Sequence, residues 1–162
     1  MKSAKTTIKN LQKGFTLIEL LVVIGILAIL LAIVLIAINP ARQFAQANNT
    51  QRASDVNAIL NAIHEYAADN SGKLPLNMPG PGVAAVDMKS IAGGGPGDIC
   101  SDLVTKYIAA MPHDPGATGS YTSCAAYDTG YTVAQSATDQ RVTVSAPATQ
   151  IPPGTVIITV TR

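Results

Sequence analysis

From Leu20 to Ile38 the chain runs 19 residues without a charged or polar side chain. As a helix, that run is roughly 28 Å long, close to the ~30 Å hydrocarbon core of a bilayer. Glu19 stands directly before it, so one carboxylate sits at the mouth of an otherwise clean membrane segment. An ionisable group in such a place marks function by default. Ahead of it, Met1 to Gly14 carries Lys2, Lys5, Lys9 and Lys13 and no acid.

The 162 residues suffice for one small domain beside the membrane helix. The net charge of +1 hides an asymmetry, because the leader holds four of the eleven Lys+Arg. From Phe15 onward seven bases face ten acids. Nothing there forms a basic stripe, so no specific nucleic-acid partner is indicated. The Lys-rich leader is expected to stay in the cytoplasm while the C-terminal body crosses. Trp is absent, and Ala, Thr, Ser, Gly and Pro are plentiful beyond residue 70, which suits an extracytoplasmic head with long loops. Cys100 and Cys124 both fall in that head, outside the reducing compartment, and are expected to form a disulfide. Its alternatives are two free thiols or metal ligands, but the chain has no CxxC and only two His.

A secretory signal peptide would place its cut after the apolar run, with small residues at A-x-A spacing. Ala37-Ile38-Asn39 offers Ala without the second small residue. A cut before the run would leave the helix on the mature chain.

The stretch Lys13-Gly14-Phe15-Thr16-Leu17-Ile18-Glu19-Leu20-Leu21-Val22-Val23-Ile24 resembles a type IV prepilin N-terminus, the class III signal of type IV pilins and pseudopilins. The resemblance covers about 25 residues. It implies that prepilin peptidase, a membrane aspartyl protease, cuts between Gly14 and Phe15. It also implies that Phe15 is N-methylated and that Glu19 acts in subunit assembly. The remainder matches only in layout. Family members often carry a helix-breaking Gly and Pro within the membrane segment. Here Gly25 and Pro40 are the candidates, and Pro40 lies past the apolar run. Major pseudopilins of type II secretion typically hold calcium in a C-terminal loop. Asp114-Pro115-Gly116 and Asp128 fall in a comparable region, without the D-x-[DN]-x-[DN]-G spacing. No cofactor is expected, with calcium as the alternative.

Pro40 removes a backbone donor and clashes with the preceding turn, so a kink or break is expected at Asn39-Pro40. Val56, Ile59, Leu60, Ile63 and Ala67 then recur at helical spacing, with Asp55, Asn57, Asn61, Glu65 and Asp69 on the opposite face. This amphipathic helix is expected to end near Asn70-Ser71-Gly72. Residues 73–97, rich in Pro and Gly, read as a loop; the Gly93-Gly94-Gly95-Pro96-Gly97 run lacks the Lys-Ser or Lys-Thr of a phosphate cradle. A short helix is expected over about Asp98 to Ala110, with Ile99, Leu103, Tyr107 and Ile108 on one face. Met111-Pro112 should end it. Strands are expected at Ser120–Ala126, Gly130–Gln135, Gln140–Ser145 and Thr155–Thr161, with Asp128-Thr129-Gly130 as a hairpin loop. The fold class is therefore α+β: a long N-terminal helix, transmembrane then amphipathic, packed on a small antiparallel sheet in the manner of pilins. The expected parts are a cleaved leader (1–14), an assembly helix (15–38), its amphipathic continuation (39–72) and a globular head (73–162).

No enzymatic constellation emerges. His64 has no marked Ser or Cys nucleophile. His113 in Pro112-His113-Asp114-Pro115 has no companions at ligand spacing. Asp98 and Asp102 share a face of the expected helix, as an acidic helix start commonly does.

Glu19 must leave water when helices bundle, and an unpaired buried charge is costly. Arg42, the next base, is 23 residues away, roughly 35 Å of helix. Lys13 is removed by the expected cut. The remaining cation is the α-amine that cleavage creates on Phe15, four residues from Glu19 and within reach in one chain or between neighbours.

The expected function is a structural, non-enzymatic subunit of a type IV pilus-like filament, with heterologous stacking of identical copies. Its expected partners are itself, prepilin peptidase, the membrane and an inner-membrane assembly platform. The precursor would be single-pass in the cytoplasmic membrane with its head outside, and the product an extracellular or periplasmic filament. The alternatives are a type II secretion pseudopilin and, from another class, a single-pass anchored binding protein or a secreted enzyme.

Overall fold

The computed structural model describes residues 14–116, 119–150 and 157–162. Lys2, Lys5, Lys9 and Lys13 of the leader lie outside the described residues. The chain divides into two compact units, Met1–Pro40 and Ala41–Arg162.

In the first unit, α1 spans Leu17–Ile38. It is apolar on every face, the pattern of a helix that needs cover all round. Every large apolar side chain from Phe15 to Ile36 is at least 48% exposed. By length and composition Leu17–Ala37 is able to cross a membrane. Asn39 follows in the left-handed region, with φ 42°. Pro40 is the first residue of α2, Pro40–Asp69, a position where its missing N–H leaves no bond unmade.

In the second unit α2 supplies the expected stripe. Val56, Ile59, Leu60 and Ile63 are fully buried, and Ala67 is half-buried. The helix stops at Ser71 and Gly72, both at positive φ, where the Gly72 N–H donates to the Ala67 carbonyl at 2.7 Å. The stripe packs on an antiparallel sheet through Tyr131, Val133, Val142, Val144 and Ala146.

Among the described residues the sheet has five strands, one more than expected. The extra one, β1 (Val86–Lys89), lies inside the segment read as loop. It is only four residues long, and Met88 alone of them is buried, so its alternation hardly stands out among the prolines. β2 is Ser120–Ser123, β3 Ala126–Gln135, β4 Val142–Ala146 and β5 Ile158–Thr161. The order is β1-β3-β4-β5, with β2 also paired to β3. β4 and β5 are shorter than expected at their N-terminal ends, and residues 155 and 156 lie outside the described residues.

The hairpin loop expected at Asp128-Thr129-Gly130 is instead part of β3. The chain reverses earlier, at Cys124-Ala125. Asp128-Thr129-Gly130 forms a bulge, where the register against β1 jumps from Asp87↔Thr132 to Lys89↔Asp128. Gly130 takes φ 69°, and Asp128 Oδ1 accepts from its N–H at 2.9 Å. A turn-forming triplet thus bends a strand without ending it. Thr129 turns inward and its hydroxyl donates to the Met88 carbonyl at 2.8 Å.

The helix expected over Asp98–Ala110 is also corrected. Only α3, Cys100–Leu103, is helical. Val104 is extended, and Thr105 takes φ 75°, so two β-branched residues interrupt the run. The apolar positions still face inward: Ile99 and Leu103 are buried, with Tyr107 and Ile108 packed against them.

A disulfide joins Cys100 of α3 to Cys124 of the β2–β3 turn, with Cα atoms 5.3 Å apart. It lies in a small second cluster with Met111 and Tyr127. Cys124→Ser should lower head stability by about 2–5 kcal/mol, read as a fall in the urea midpoint. Peptide mapping without reductant should find the linked pair; full alkylation of both thiols under those conditions would overturn it.

Candidate assembly and processing site

Gly14, Phe15 and Thr16 precede α1 in non-helical backbone, and the Phe15 side chain is 90% exposed. Thr16 is the N-cap, with φ −80° and ψ 151°. Its hydroxyl accepts from the Glu19 N–H at 3.2 Å. In return Glu19 Oε2 accepts from the Thr16 N–H at 2.8 Å and from the Thr16 hydroxyl at 2.6 Å. This reciprocal arrangement is a capping box. Thr-x-x-Glu spacing before an apolar run is its sequence signal, one that the charge of Glu19 alone does not reveal. Glu19 therefore has partners in its own chain before any cut. Among the described residues both bonds that the Glu19 carboxylate accepts end on Oε2. Gly14 and Phe15 thus lie just before the start of an exposed apolar helix, and Glu19 lies in its first turn.

The other polar candidates serve the head. Arg52, on α2, is fully buried. Its Nε donates to Asp114 Oδ2 at 2.7 Å and its Nη2 to Asp114 Oδ1 at 2.8 Å. Its Nη1 donates to Asn49 Oδ1 at 2.8 Å. Burial by itself would raise the Asp114 carboxyl; the bonds from Arg52 and the Gly116 N–H outweigh it and hold the group below its usual value. Asp114 therefore clamps a guanidinium, and Asp128 shapes the β3 bulge. Among the described residues no group of three His, Cys, Asp or Glu gathers.

Asp55, expected on the polar face of α2, is buried instead. It accepts from the Tyr131 hydroxyl and from Gln51 Nε2, both at 2.7 Å. Burial and the bond to Asp55 push the Tyr131 hydroxyl far above the usual tyrosine value. Asp98 and Asp102 do not act as a pair. Asp98 accepts from the Ile91 N–H at 3.0 Å and the Tyr127 hydroxyl at 3.0 Å, whereas Asp102 accepts from the Leu76 N–H at 3.0 Å. Both pin the 73–97 loop. His64 is half-buried on α2, and His113 is exposed.

Residues 9–35 match the family model described as the prokaryotic N-terminal methylation motif. Two curated relatives, both named type IV major pilin protein PilE1 from Neisseria gonorrhoeae, are each 45% identical to this chain over 82 residues. The match covers 47% of this chain and 44% and 41% of the two relatives, so the chain spans less than half of their length. No solved structure matches the chain. Over the matched residues the chain is similar to type IV pilins.

Proposed function

We propose that this chain is a structural subunit of a type IV pilus-like filament, assembled through α1 after prepilin peptidase cuts between Gly14 and Phe15. The observation that carries the reading is α1 itself, a 22-residue apolar helix exposed on every face with one carboxylate at its start. Such a surface needs lipid before assembly and other helices after it. Copies of the same helix satisfy the second need, and head-to-tail contacts between them build an open filament. The partners are then the membrane, the peptidase, an inner-membrane assembly platform and further copies of the chain. The precursor spans the cytoplasmic membrane once, leader inside and head outside. An outward head fits the disulfide, which persists in oxidising compartments. The chain's role is assembly and not catalysis.

Intact-mass measurement tests the first step. Subunits extracted from membranes or sheared from cells should begin at Phe15 and carry one methyl on its nitrogen. A chain beginning near Asn39, or retaining Met1 in cells with active peptidase, would overturn the reading. Bulky substitutions of Gly14 should leave uncut precursor in the membrane.

A further inference from the structure

We infer that Thr16 is a positioning residue for leader removal: by capping α1 it keeps the Gly14–Phe15 bond outside the helix, where a peptidase can engage it. This rests on the reading that the chain is cut there. Hydrolysis adds the hydroxyl of water to the Gly14 carbonyl carbon and a hydrogen to the Phe15 nitrogen as the bond between them breaks. Within an α-helix the Gly14 carbonyl would accept from the Ile18 N–H and be packed between turns. An extended segment instead offers its N–H and C=O groups to a partner's backbone.

The geometry at the junction disfavours growth of the helix backwards. A helix one turn longer would direct the Glu19 N–H to the Phe15 carbonyl. That N–H is already donated to Thr16 Oγ1, at 3.2 Å. The same growth would direct the Thr16 N–H four residues back, to the carbonyl of residue 12. That N–H is donated to Glu19 Oε2, at 2.8 Å. The first bond of α1 runs from the Leu20 N–H to the Thr16 carbonyl, at 3.2 Å. Thr16 itself is extended. Two of the four donors that one more turn would recruit, the Thr16 and Glu19 N–H groups, are therefore engaged by the box, and the Leu17 and Ile18 N–H groups are the other two. Phe15 itself does little to keep out of the helix, since its propensity cost there is modest. The box thus sets the helix boundary two residues beyond the scissile bond.

The test uses the full-length precursor in proteoliposomes with the peptidase, followed by intact mass over time. Thr16→Val keeps the shape and loses the hydroxyl. Its cleavage should slow about fivefold, the population shift that loss of an N-cap typically brings. Thr16→Ser and Thr16→Asn, both good N-caps, should remain within about twofold of wild type. Hydrogen exchange of the uncut protein should show the Glu19 amide less protected in Thr16→Val alone. Cleavage of Thr16→Val at the wild-type rate overturns the inference. So does equal slowing in all three variants, which would mean that the peptidase reads threonine itself. If the wild-type precursor is not cut at Gly14–Phe15, the functional reading falls together with the inference; if it is cut and Thr16→Val matches it, only the inference falls.

Discussion

Cells making only Glu19→Ala protein should hold membrane-inserted, cut subunits and almost no filaments. In the proposed filament the carboxylate enters a low-dielectric helix bundle, where an ion without a partner is costly. Arg42 lies too far along the chain to serve, and on the proposed cut Lys13 leaves with the leader. The new Phe15 amine is then the cation at the right level. Thr16 bonds Oε2 of Glu19, so Oε1 is the oxygen proposed to meet the amine of a neighbouring copy. Removing the carboxylate strands that amine as an uncompensated charge, at about 3–5 kcal/mol per contact. Such a penalty is a factor of about 10² to 4 × 10³ in each association step, and a filament repeats the step at every subunit. Thr16 loses half of its box in this variant, so cleavage should slow without stopping. Electron microscopy of the cells, with intact mass of the membrane fraction, checks both parts. Normal filament numbers would rule out a pair between subunits and leave only an internal one.

Arg52→Met should destabilise the head by about 3–5 kcal/mol, the usual cost of breaking a buried ion pair by removing one partner. Asp114 would remain 3% exposed, with the Gly116 N–H at 2.6 Å as its residual donor. Asn49 would lose the Nη1 bond as well. Replacing both charges, as in Arg52→Met with Asp114→Leu, should recover much of the loss, because a well-packed apolar pair often equals a buried ionic one. Urea unfolding of the detergent-solubilised chain measures both. The effect also has a pH signature. The folded Asp114 carboxyl lies below its ordinary value of 3.8, so its contribution is fully present above that pH. It is lost as pH falls through the lower folded value. The gap between wild type and Arg52→Met should therefore narrow in strong acid. An undiminished gap there would assign the loss to packing of the arginine stem. The exposed pair Lys106–Asp69, at 3.1 Å, is the control: its removal should leave the unfolding midpoint nearly unchanged.

Local patterns were the most legible part of the chain. The membrane span needs only length and composition. The α2 stripe needs only helical period, and Val56, Ile59, Leu60 and Ile63 all face the core. The capping box was equally local and was missed because Glu19 was considered as a charge seeking a cation, not as an acceptor for backbone and hydroxyl donors. Turn chemistry misled in the opposite direction. Asp128-Thr129-Gly130 has the composition of a hairpin, yet pairing on both edges of β3 holds it in the sheet.

By itself the sequence determined that the chain carries a bilayer-length helix with one carboxylate at its start, an amphipathic helix after Pro40 and cysteines suited to a disulfide. Each follows from residues close together or from the chemistry of one residue type. Only the tertiary structure decided that Arg52 and Asp55 face inward. A charged residue beside an apolar stripe is assigned to solvent unless a partner is known, and these partners, Asp114 and Tyr131, lie 62 and 76 residues away. The same holds for β1, whose four residues become a strand only because β3 offers an edge. Burial of a charge or formation of an edge strand depends on what the rest of the chain brings alongside, which one-dimensional spacing does not contain.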